Sequence, residues 1–174
     1  MLPTSQKQTQ FHTYHLDFLD DFNAPELDRS KWIPYYLPQW SSRAKTQPRF
    51  RIEESCLILE IQPDQQPWSP EFNGSIRVSS LQTGLYSGPL HSAEGQHRFS
   101  KDVRVREAQP TERTYTPQYG YFELKAKCNI LPNNVAALWM IGFEEKPEHS
   151  AEICIFELKG QNIREKSAII GYGI

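Results

Sequence analysis

The chain has 174 residues, a formal net charge of -2 and 23% charged residues, the size and composition of one folded domain. It has no basic surface to neutralise phosphates and no stretch as long as a membrane span, so nucleic acid and membranes are set aside as partners and a neutral ligand is expected. Thirteen prolines and nine glycines interrupt the apolar runs, which favours short strands over long helices.

Residues 1–16 lack sustained periodicity and read as a lead-in segment or edge strand, with 17–174 as one organised domain. Met1 to Gln10 is polar and has no secretory apolar core, which places the product as written in the cytoplasm, or outside the cell if a leader has been trimmed. Asp20 to Asn23 and Leu27 to Trp32 set turn-forming side chains beside large apolar ones, as in a turn that pins aromatic residues into a core. Tyr35, Tyr36 and Trp40 follow among Pro34 and Pro38, too broken for a helix, and form an aromatic loop.

From Arg49 the period is two: Phe50 and Ile52 alternate with arginines and Glu53, then Leu57, Leu59 and Ile61 alternate with Ile58, Glu60 and Gln62. Two neighbouring strands joined by a turn at Glu53 to Cys56 are predicted. Pro63 to Gly74 and Gly84 to Gly95 read as loops, with a possible strand at Ser75 to Ser80. Tyr121 to Cys128 alternates as a strand buried on one side, Val135 to Ile141 is apolar throughout and reads as a central strand, and Ser167 to Ile174 reads as a strand at the end of the chain. Many short strands without strand-helix alternation predict an all-β, antiparallel two-sheet sandwich.

The segment Ala151 to Leu158 is strand-like yet carries Glu152 and Glu157 among apolar neighbours. In a regular strand, residues five apart point to opposite faces, which would force Glu157 onto the face of Ile153 and Ile155, unpaired and costly. A β-bulge near Ile155-Phe156 places Ile153, Ile155 and Leu158 in the core and turns Glu152, Cys154 and Glu157 to the other face. Two carboxylates facing one cleft suit glycoside hydrolysis, one attacking or stabilising the anomeric carbon and the other protonating the leaving oxygen. Solvated edge-strand glutamates paired across the sheet with Lys125 or Lys127 are the alternative.

Tyr35, Tyr36, Trp40 and Trp68 lie in proline-containing loops, where their faces either stack on sugar rings or plug the ends of the sandwich. Arg43, Arg77 and His97 either hydrogen-bond sugar hydroxyls or, more commonly for such residues, are solvated charges or local caps. Cys56, Cys128 and Cys154 are odd in number and widely spaced, so they read as buried free thiols; no metal site and no cofactor are expected.

Glu152-Ile-Cys-Ile-Phe-Glu157 resembles the Glu-x-Asp-x-x-Glu signature of glycoside hydrolase family 16, the laminarinase and lichenase group. Asp21-Phe22-Asn23, Leu27-Asp28 with Lys31-Trp32, Tyr119 to Glu123 and Ala137 to Met140 fall in the order and approximate spacing of that family. The resemblance implies a concanavalin A-like jelly roll, Glu152 as nucleophile, Glu157 as general acid/base, and Trp139 as a sugar-stacking residue, with Trp40 and Tyr36 as further substrate contacts. It implies retaining endo-hydrolysis of β-1,3 or mixed β-1,3/1,4 glucans, with galactans as possible substrates. The alternative is a non-catalytic carbohydrate-binding sandwich. Cys154 stands where the family has an aspartate. Family members also continue beyond this signature, so 17–174 is expected to be the N-terminal part of a domain completed by a partner or a further segment.

Overall fold

The computed structural model describes residues 6–8 and 13–174. Residues 1–5 and 9–12, part of the expected lead-in, lie outside the described residues. Strand β1 (Gln6–Gln8) pairs antiparallel with β2 (Thr13–His15). The fold is all-β among the described residues, with two four-residue helices, α1 (Arg43–Thr46) and α2 (Pro70–Asn73), and two short 3-10 turns at Pro38–Trp40 and Pro147–His149. Helix α1 starts where the Ser42 hydroxyl accepts the Lys45 backbone N–H, a side-chain N-cap.

β3 (Arg49–Glu53) and β4 (Cys56–Glu60) form the hairpin read from the period-two pattern, and Phe50 and Ile52 are half-buried while their neighbours are exposed. Glu54 and Ser55 both take positive φ, 50° and 56°, as a tight hairpin turn requires. β5 (Gly84–Leu85) pairs with β6 (Glu112–Arg113). The sheet that carries the site orders β7 (Val135–Ile141), β8 (Glu152–Ile163) and β9 (Ala168–Gly173) as an antiparallel meander.

The core lies largely outside these strands. Leu37, Trp40, Trp68, Val103 and Val105 are buried together, with Tyr36, Phe72, Val78, Phe99 and Ile141 packed around them. Proline and glycine break the backbone into turns here, so the apolar face is assembled from side chains distant in sequence, as ring pairs such as Tyr36–Trp68 (centroids 4.9 Å apart, 81° between planes) show. Ile141, the last residue of β7, ties the three-stranded sheet to this core.

Several expectations are corrected. Tyr121 to Cys128 is not a strand, and its alternation meets no buried side: Phe122 and Leu124 are 41% and 54% exposed. Ser75 to Ser80 is irregular. β8 rather than β7 is the central strand, because β7 pairs with β8 alone among the described residues. The stretches read wholly as loops contain α2 and β5. Cys56 is exposed and Cys128 and Cys154 are half-buried, so none of the three free thiols is a core residue.

Candidate active site

The β7–β8 register shifts between Leu138 and Trp139: Leu138 pairs with Phe156, and Trp139 pairs with Cys154, leaving Ile155 without a partner. This is a β-bulge, and it sits where the placement of the two glutamates required one. Its extra residue resets the alternation, so Glu152, Cys154 and Glu157 line one open concavity of about 450 Å³ together with Gly171, Tyr172, Gly173 and Ile174. The opposite face is less buried than expected. Leu158 is 8% exposed, but Ile153 and Ile155 are 42% and 37% exposed.

Cross-strand pairs lay out the floor of the concavity. Glu152 stands opposite Ile141, Cys154 stands between Trp139 and Gly173, and Glu157 stands between Ala137 and Gly171. Residues paired across a ladder share a face. The floor around the carboxylates is therefore small on the β9 side: a Cβ at Gly171 would come no closer than 3.7 Å to another atom, and one at Gly173 would meet nothing within 4 Å. On the β7 side it rises to the indole of Trp139, which is 36% exposed.

The Lys159 ammonium lies 3.2 Å from a Glu157 carboxylate oxygen, with both side chains partly exposed. Such a pair orients the carboxylate more than it stabilises the fold. Glu152 begins β8 beside the aromatic core. Burial, with the Glu152 carboxylate as a second cause, pushes the Tyr36 phenol up to about 12.

The structure brings Glu152, Cys154, Glu157 and Trp139 to one sheet face, while Tyr36 packs against the buried core beside Trp68. It does not bring Trp40 to that face either. Trp40 is fully buried and its indole N–H donates to the Gln96 carbonyl at 2.9 Å, so the expectation of a sugar contact is corrected: the ring anchors a loop instead. Trp68, 3% exposed, is likewise a core ring.

His97, read from the sequence as a solvated charge or cap, lies near-parallel to the Trp139 indole, with centroids 6.4 Å apart and 25° between planes. Its backbone has φ of 50°, and its N–H donates to a Glu144 carboxylate oxygen at 2.7 Å. No local signal marks His97, because the pairing spans loops far apart in sequence. The small residues Gly171 and Gly173 were also missed; alternation of glycine on one face of a terminal strand was the available hint.

No family model and no curated protein matches the chain. Among solved structures, it is similar to a GlcNAcα1-4Gal releasing endo-β-galactosidase from Clostridium perfringens, at 28% identity and a TM-score of 0.70. The match covers 98% of this chain and 44% of that one, so the chain spans less than half the length of the enzyme it resembles. This finding corrects the resemblance to the laminarinase and lichenase group and the expectation of β-1,3 or mixed β-1,3/1,4 glucan hydrolysis: the matched structure is a galactosidase, and no family model supports the assignment. What the likeness carries is a fold shared with part of that enzyme.

Proposed function

We propose that this chain belongs to a glycoside hydrolase that cuts internal β-galactosidic bonds, with Glu152 and Glu157 as its two working carboxylates. The observation that carries the proposal is the Ile155 bulge, which turns both glutamates into one concavity on the sheet. One carboxylate attacks or stabilises the anomeric carbon, and the other protonates the leaving oxygen. Trp139, on the same face, offers the flat apolar surface on which a sugar ring packs. Residues 17–174 are proposed as one portion of a single jelly-roll sandwich, supported by the 98% coverage at a TM-score of 0.70.

The test is release of a chromophore from an aryl β-glycoside of GlcNAcα1-4Gal. Turnover is expected, with Glu152→Gln and Glu157→Gln each slower by about 10²–10⁴-fold. Azide rescue of Glu152→Gly and Glu157→Gly identifies the nucleophile by its product, an α-glycosyl azide from the nucleophile variant and a β-glycosyl azide from the acid/base variant. Absence of release, or release unchanged by both Gln variants, overturns the proposal. Binding without turnover supports the second reading, a carbohydrate-binding sandwich, which is favoured by a cysteine, Cys154, standing between the two glutamates.

A further inference from the structure

The groove face carries a second element besides the carboxylates. Trp139 shares that face with Cys154, and His97 lies near-parallel to its ring although the two residues come from separate loops and strands. The position of His97 is fixed from both sides. The preceding residue, Gln96, is 4% exposed; its carbonyl accepts the Trp40 indole N–H and the Gln39 side-chain amide, each at 2.9 Å, and its backbone N–H donates to the Tyr86 carbonyl at 3.1 Å. Gly95 packs so closely on Trp40 that a Cβ there would lie 2.9 Å from the indole. On the other side, Glu144 accepts the His97 backbone N–H and also the Ser150 hydroxyl at 3.2 Å.

His97 and Glu144 both hold positive φ, 50° and 58°, a conformation unfavourable for residues other than glycine. Such backbone persists only where surrounding contacts over-determine it, and it concentrates at binding sites. Here the buried Gln96 anchor and the Glu144 carboxylate do so, and the product is an imidazole held beside an exposed indole.

We propose that His97 and Trp139 form a preorganised subsite for a galactosyl ring, an assignment that rests on the reading of the site as β-galactoside-directed. The axial hydroxyl of galactose leaves one ring face lined by C–H groups, and that face packs on the indole. The imidazole edge supplies a donor or acceptor to a ring hydroxyl, and because the loop is already ordered, binding costs little further conformational entropy.

The experiment is an equilibrium titration of the protein with the GlcNAcα1-4Gal disaccharide, followed by tryptophan fluorescence and calorimetry, beside the chromogenic assay. His97→Gly keeps the positive φ without strain and removes the ring; His97→Asn also tolerates this φ and keeps a hydrogen-bonding edge. The expected result is Kd raised about tenfold in His97→Gly, the size of one aromatic or hydrogen-bonding contact, with Tm unchanged or higher. Trp139→Ala is expected to weaken binding as well, and the double variant by less than the product of the two, because the rings act together. Kd unchanged by His97→Gly overturns the subsite whether or not the protein turns over substrate. A Kd raised by His97→Gly in a protein that does not hydrolyse the aryl glycoside supports the subsite and overturns the catalytic reading alone. No binding by the unmodified protein overturns both.

Discussion

Trp139 faces Cys154 across the β7–β8 ladder, one step after the register has slipped by a residue. That pairing sets the side of the sheet on which Glu157 emerges. Inserting one alanine between Phe156 and Glu157 offsets the bulge and sends Glu157 to the face of Leu138 and Met140. Turnover of the aryl glycoside is expected to fall by at least about 100-fold while circular dichroism retains its β signal. Ile155→Ala, which keeps the residue count, is expected to stay within a few-fold of the parent. Equal activity in the insertion variant would show that the strand register does not place the carboxylate.

The glycines of this sheet predict opposite outcomes. Gly173 has open space where a side chain would stand, on the floor beside Cys154. Gly173→Val is expected to change stability by no more than about 0.5 kcal/mol while it obstructs the groove and weakens disaccharide binding. Gly160 is buried, and a Cβ there collides with the Leu131 carbonyl, a backbone group with little freedom to retreat. Gly160→Ala is expected to cost about 3 kcal/mol in urea unfolding. A reversed order would contradict the placement of β9.

Asp20 organises the aromatic turn near the start of the described domain. Its carboxylate accepts the Trp32 indole N–H at 2.7 Å and the backbone N–H of Phe22 at 2.9 Å, and Phe22 holds a φ of 51°. Asp20→Ala removes both charge-assisted bonds and is expected to destabilise the fold by about 2 kcal/mol. The midpoint of urea unfolding measures the loss, and the change in Trp32 emission reports whether the indole has been released. A shift in midpoint below about 0.5 kcal/mol would count against this role.

Tyr36 provides a pH signature. Its folded value, about 12, lies above the ordinary 10.0, so the neutral phenol contributes stability that is fully present below pH 10 and is lost as the pH rises through about 12. The loss is on the order of 2–3 kcal/mol by the top of that window. Alkaline titration followed by tyrosinate absorbance should show a tyrosine titrating near pH 12 that disappears in Tyr36→Phe, while Tyr115, also raised by burial and by Asp17, remains, and the variant should lose less stability than the parent over the same range. A tyrosine set that titrates wholly near pH 10 would exclude the buried phenol.

The likeness to an endo-β-galactosidase also shows where motif matching stops. Short ordered motifs point to a β-glucanase, while a solved structure similar to this chain is an endo-β-galactosidase. Which sugar a groove accepts depends on side chains gathered from several loops, and a carboxylate motif on one strand carries little of that information.

The all-β character, the β3–β4 hairpin and the need for a bulge between the two glutamates are legible in the amino-acid sequence, because alternation and the cost of burying a carboxylate are local properties of a strand. The sequence does not show that Trp40 is a buried anchor, that Tyr121 to Cys128 forms no strand, or that His97 stands beside Trp139. These depend on which distant segment packs against each residue: an aromatic side chain in a loop has the same local sequence whether it meets a sugar or a core. Strand formation likewise depends on a segment's surroundings, and Tyr121 to Cys128 is not a strand although its residues alternate.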